Sequence, residues 1–105
     1  MNTAGILVFG LAAAACFAMP RVAYAGDTIR GAELYRRHCS ACHGTSGRPH
    51  LPTAPDFTRP TSLLKPDLAL MDGIKRGKGA MPAYDGILRE RDILDVVTYL
   101  RTLKR

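Results

Sequence analysis

Apolar residues recur at helical spacing in three stretches of the chain. The clearest is 90–105, where Ile93, Val96, Val97, Leu100 and Leu103 form one stripe. Glu90 and Asp92 fall in its first turn and Arg101, Lys104 and Arg105 in its last, which suits the helix dipole. Arg89 stands where a Ser, Thr or Asp cap is expected, so this start reads as poorly capped. A second helix begins with Pro66 in its first turn and carries Leu68, Met71 and Ile74 at a spacing of three, with Leu70 widening the stripe. Lys75 and Arg76 close it, and Gly77 suits the left-handed position that follows. The remaining helix spans 28–39, capped by Asp27, with Ile29, Ala32, Leu34 and Tyr35 on its apolar side. Gly31 sits in its middle, where glycine costs about 1 kcal/mol relative to alanine, so a second element is expected to pass close by.

Between the first two helices no period survives. Gly44, Gly47, Pro49, Pro52, Pro55 and Pro60 interrupt 44–61, which predicts a long loop. Loops of that length in small domains usually serve a function. A second connection, 77–84, is glycine-rich and stiffened at Pro82. No stretch alternates as a strand does, and there are no repeats. The chain is therefore predicted to be all-α.

The N-terminal pattern is of another kind. An apolar, alanine-rich run over 6–19 is broken by Pro20 and followed by Ala23-Tyr24-Ala25, a small-x-small cleavage site before Gly26. The run falls short of the ~20 residues that span a bilayer. Residues 1–25 are therefore expected to be a signal peptide and 26–105 the mature domain, with no stable membrane insertion after cleavage. The n-region carries no Lys or Arg. An uncleaved anchor and a lipidated Cys16 in Ala14-Ala15-Cys16 are the alternatives.

Charge and size add two constraints. Loss of Arg21 leaves 14 of the 15 Lys and Arg against 9 Asp and Glu, a mature charge of +5. A basic surface aids solubility and can steer the protein to an acidic partner face. No aromatic-basic interleaving supports nucleic-acid binding. A domain of this length buries only about 60–65% of its unfolded surface, and this one has no Trp and 7 Pro in the whole chain. It needs a staple beyond its own core.

Cys39-Ser40-Ala41-Cys42-His43 supplies one. Two thiols two residues apart, followed at once by an imidazole, form the attachment pattern for c-type haem. Each sulfur can add to one porphyrin vinyl group, which leaves His43 beneath the iron. The other readings fit less well. A thioredoxin-like pair needs a βαβ context that the chain lacks. A zinc site needs two more ligands, and His38 and His50 are not spaced as a pair. A disulfide leaves His43 without a purpose.

With Gly31, Tyr35, Cys39, Cys42 and His43 in that order, and Val96, Tyr99 and Leu100 on the last helix, the chain resembles the class I cytochromes c, small monohaem electron carriers. The resemblance covers nearly the whole mature chain. It implies a cytochrome c fold, with three main helices and a long loop wrapped around one haem c bound through Cys39 and Cys42. It implies that the first and last helices cross at Gly31, near Val96 and Tyr99. It implies that the Pro55 carbonyl accepts a hydrogen bond from His43 (Pro49 and Pro52 being the alternatives), and that Met81, ahead of Pro82, is the second axial ligand. Met71 and His50 compete for that role, but Met71 lies on a core stripe and His50 follows His43 closely. Tyr84 would pack on the macrocycle or bond a propionate.

Both axial positions filled implies no open site for a substrate, hence a periplasmic electron-transfer protein and no enzyme. A permanently docked haem subunit of an oxidoreductase is the first alternative, and a gas sensor or haem enzyme with a labile sixth site the second. The expected partners are redox proteins with acidic docking faces, met as a monomer. Lys75, Arg76 and Lys78, extended by Arg36 and Arg37, form either a docking patch or a merely solvated helix end.

Overall fold

The computed structural model describes residues 5, 10, 13–15, 17–20 and 25–104. The segment read as a signal peptide, Cys16 included, falls largely outside these residues, as does Arg105. The ordered domain comprises α1 (Thr28–His38), α2 (Ser40–His43), α3 (Asp67–Arg76) and α4 (Glu90–Leu103), with a single 3-10 turn at Pro60–Leu63. Among the described residues there is no strand, only isolated bridge pairs at Lys78–Met81 and Asp85–Leu88. All three main helices stand where the periodicity puts them. The 3-10 turn and the one-turn α2 interrupt stretches in which no helical period shows.

The core lies where α4 crosses α1 and α3. Ile93, Val96, Val97 and Leu100 of α4 are buried with Leu34 and Tyr35 of α1, Met71 and Ile74 of α3, and Phe57, Leu63 and Leu88 from the connections. Full burial of one such aliphatic side chain contributes about 1.5–3 kcal/mol. Gly31 has the expected role. A Cβ placed on it would stand 2.0 Å from the Asp95 carbonyl oxygen and 2.9 Å from Tyr99 Cβ. The two helix backbones meet there because nothing intervenes. Gly31→Ala is therefore expected to destabilise the haem-loaded protein. Overpacking against backbone costs about 1–3 kcal/mol, whereas the gain in helix propensity is about 1 kcal/mol. A lower denaturant midpoint at unchanged slope checks this; an unchanged midpoint contradicts the close crossing.

Five expectations need correction. Ile29 is 84% exposed, because at ~100° per residue it lies about 200° round α1 from Gly31. Leu68 is 76% exposed; it lines an open groove with Met71, Glu90, Arg91 and Leu94 instead of packing in the core. The start of α4 is also capped, though not by residue 89's own side chain. Asp92 reaches back to accept from the Arg89 N–H at 3.2 Å. Its carboxylate further takes Arg89 Nε at 3.1 Å and Arg30 of α1 at 2.7 Å. These hydrogen bonds hold Asp92 well below the usual carboxylate range. The last helix ends at Leu103, short of residue 105. Pro66 precedes α3 in extended conformation (ψ 156°), with Asp67 the first helical residue.

Candidate functional site

Cys39, Cys42 and His43 are positioned by the break between α1 and α2. Asp27 starts α1 by accepting from the N–H groups of Ile29 (2.9 Å) and Arg30 (3.1 Å). At the other end Ser40 Oγ donates to the Arg36 carbonyl at 2.6 Å, and Cys39 departs from helical geometry with φ −119°. Gly44, at φ +79°, ends α2 directly after His43. A side chain there would meet the Arg48 carbonyl at 1.8 Å. Tyr35 fixes this short helix from below. Its buried hydroxyl donates to the carbonyls of Gly44 (2.6 Å) and His43 (3.2 Å). Burial pushes the phenol far up, so it remains a donor across the physiological range.

His43 is 9% exposed, and its ring stacks on Phe57, with centroids 4.7 Å apart and planes 21° apart. Burial lowers its proton affinity and keeps the imidazole neutral, the form that can ligate a metal. Its Nδ1 is buried and accepts or donates no hydrogen bond. The bond expected with Pro55 is therefore not formed. Pro55 is exposed in the loop, while its neighbour Phe57 turns inward. Phe57 is the site residue that sequence reading passed over. It is the only aromatic side chain in 44–61, which is the signal that could have found it.

Both thiols are free, Cys39 half-buried and Cys42 exposed. Burial, then the neighbouring Cys42, pushes the Cys39 thiol up to about 11. No group of three or more His, Cys, Asp or Glu among the described residues is placed to hold a metal ion, so the zinc reading has no ligand set. His50 is exposed, its N–H bound to the Cys42 carbonyl at 2.9 Å. Met71 is buried in the core cluster.

Met81 is half-buried and packs against the same core cluster as Cys39 and Tyr84. Lys78 and Met81 exchange backbone hydrogen bonds at 3.1 and 3.0 Å around a turn whose Gly79 has φ +58°. Gly77, at φ +65°, lies so close that a Cβ would stand 2.5 Å from the Met81 carbonyl oxygen. The loop is then tied at both sides. The N–H groups of Tyr84 and Asp85 donate to the Ile74 and Lys75 carbonyls, each at 3.1 Å. The Tyr84 hydroxyl donates to the His38 carbonyl at 2.8 Å, which joins the Met81 segment to the residue before Cys39. The hydroxyl hydrogen of Tyr84 is thus spent on the backbone.

These residues fit a haem. His43 presents a buried, neutral imidazole, the form that ligates iron. Two thiols without a disulfide flank it, and a braced thioether packs on the same core. Cys39 and Cys42 would hold the macrocycle by thioether bonds, and His43 and Met81 would serve the iron.

Comparisons with known proteins agree. The family model described as cytochrome C oxidase, cbb3-type, subunit III matches residues 26–100. Cytochrome c6 of Picosynechococcus sp. is 34% identical over 99 residues, spanning 83% of this chain and 82% of that one. Cytochrome c-551 of Halorhodospira halophila is 38% identical over 65 residues, 59% of this chain and 78% of its own. Among solved structures, the KustC0563 c-type cytochrome superposes with a TM-score of 0.67 at 25% identity, over 71% of this chain and 98% of its own. Cytochrome c6 of the diatom Phaeodactylum tricornutum, at 24% identity, shares the fold with a TM-score of 0.64 over 73% and 93% of the two chains. The chain thus belongs to the class I c-type cytochromes, a family with the cytochrome c fold and one covalently attached haem c.

Proposed function

We propose that this protein is a one-electron carrier that works outside the cytoplasmic membrane, with Cys39 and Cys42 anchoring the haem and His43 and Met81 as axial ligands. The observation that carries the reading is the placement of two neutral donors on braced backbone. His43 is held by burial and by Phe57. Met81 is held by Gly77, the Lys78 pairing and the Tyr84 tether. The haem, once bound, supplies an Fe(III)/Fe(II) couple. The protein's part is to keep both donors in place in either state, to exclude water, and to raise the potential through a soft, neutral thioether. Pro55 enters this reading only through its spacing from His43.

With His43 and Met81 both serving the iron, no site would be left for a substrate, so the protein is proposed not to be an enzyme. Among the described residues no helix is long and apolar enough to cross a membrane. Export, with residues 26–105 as the mature domain, rests on the cleavage pattern at Ala25 and on the chemistry of haem attachment. For partners we propose acidic redox proteins, met near Lys75 and Lys78. Arg76 contributes less to such a patch, because it pairs with Asp72; Arg37 likewise pairs with Glu33 at 2.8 Å.

The expected behaviour is a reversible one-electron spectroelectrochemical titration, with no spectral change when the reduced protein meets carbon monoxide at neutral pH. Ready carbon monoxide binding would overturn the carrier reading in favour of an open sixth site. A docked haem subunit is a second reading, favoured by the oxidase-subunit description of the matching family model. Co-elution with an oxidase at physiological salt would support it over a free carrier.

A further inference from the structure

Asp95 is the most buried acid of the domain, 1% exposed, yet it lies on α4 among Val96, Val97 and Ile93. Its Oδ1 accepts from the Asp27 backbone N–H at 2.8 Å. Its Oδ2 accepts no hydrogen bond. Arg30 Nε approaches Oδ2 only to 3.6 Å, and Arg91 Nε approaches Oδ1 to 3.5 Å. A buried carboxylate oxygen with no hydrogen bond, faced only by a guanidinium at 3.6 Å, can take a further donor.

Gly26 directly precedes Asp27, whose N–H holds this carboxylate at 2.8 Å. A Cβ on Gly26 would stand 1.9 Å from Thr98 Oγ1 and 3.0 Å from the Leu94 carbonyl oxygen, so its backbone lies close against α4 at Leu94 and Thr98. Gly26 also follows the expected cleavage site. Hydrolysis there adds water across the Ala25–Gly26 peptide bond. Ala25 leaves with a carboxylate, and Gly26 gains an amine that takes up a proton. The Ala25 carbonyl, which accepts from Arg91 at 3.4 Å, departs with the leader.

We propose that the α-ammonium of Gly26, created by removal of the leader, seats on Asp95 Oδ2 beside the Leu94 carbonyl and the Thr98 hydroxyl, and so completes the α1–α4 crossing. The proposal rests on the export reading. It makes cleavage a structural step as well as a sorting step: an amide nitrogen at Gly26 carries neither the charge nor the extra hydrogens. The charged groups facing the seat are Asp95 itself, Arg30 and Asp27 from the α1 side, and Arg91 and Asp92 from α4. Proximity of a buried carboxylate raises an amine's proton affinity. The stabilisation is then complete below the ordinary α-amino value of about 7.7–8.0 and is lost as pH rises through the higher folded value.

The test uses haem-loaded protein beginning at Gly26, with nitrogen-15 in that residue. Its α-amino group is expected to titrate about one pH unit or more above the ordinary value. Retaining Ala25, or acetylating Gly26, should lower the melting temperature below pH 7 and leave it unchanged at high pH. An α-amino group that titrates at its ordinary value overturns the proposal, and this reading needs no variant. So does an elevated value that survives in Asp95→Asn. N-terminal sequencing of the naturally exported protein separates the two claims. A first residue other than Gly26 defeats the export reading, whereas the titration alone decides whether the seat exists.

Discussion

Replacing both Cys39 and Cys42 with alanine should give an exported chain that retains no haem after denaturation and never acquires the compact state of the parent. The effect is expected to be all-or-none because the domain is small. A chain of this size buries little apolar surface for the entropy it must lose. Its own core is chiefly the α1–α4 crossing with part of α3. The site half of the domain, with Phe57, His43 and the Met81 turn, rests on loops rich in proline and glycine. A covalently fixed macrocycle would contribute both apolar area and a cross-link to those loops. Loss of the helical circular-dichroism signal together with rapid proteolysis in the double variant is the expected result. A colourless variant as protease-resistant as the parent would show that the polypeptide folds without its cofactor.

Met81→Ala should leave the haem attached but open one axial position. The weak far-red band of thioether-ligated ferric haem should vanish, carbon monoxide should bind the reduced protein, and the potential should fall, since a thioether favours the reduced iron. The fold should survive, because Met81 is only half-buried and its loop is held by backbone bonds from Ile74 and Lys75 and by Tyr84. Met71→Ala, in contrast, should lower stability by about 2–5 kcal/mol through a core cavity and leave the far-red band intact. An unchanged spectrum in Met81→Ala would remove Met81 from the iron.

Much of this architecture could be read from the sequence, for identifiable reasons. The stripe of Ile93, Val96, Val97, Leu100 and Leu103 follows one helical period without a break, and all are buried except the half-buried Leu103. Gly31 announced a close approach, because a mid-helix glycine needs a reason, and the Asp95 carbonyl is that reason. The Cys39–His43 pattern is local chemistry and survives translation into three dimensions. What stayed hidden depends on partners far away in sequence. Asp92 reads only as a first-turn charge and Asp95 carries no signal of its own, yet they meet Arg30 of α1 and its cap Asp27. Ile29 and Leu68 read as core, yet no neighbour covers them. The Tyr84 hydroxyl finds the His38 carbonyl only through folding. Phe57 sits in a segment with no period at all, so only its aromatic character, and no periodicity, marks it for stacking on His43.

The most direct measurement is the intact mass of the exported wild-type protein under denaturing conditions, taken with its alkaline pyridine spectrum. A mass of the leader-free chain plus one haem, with the haemochrome signature of two saturated thioether links, is the predicted result. A colourless protein with the mass of bare polypeptide and a stable compact fold would contradict the account at its root.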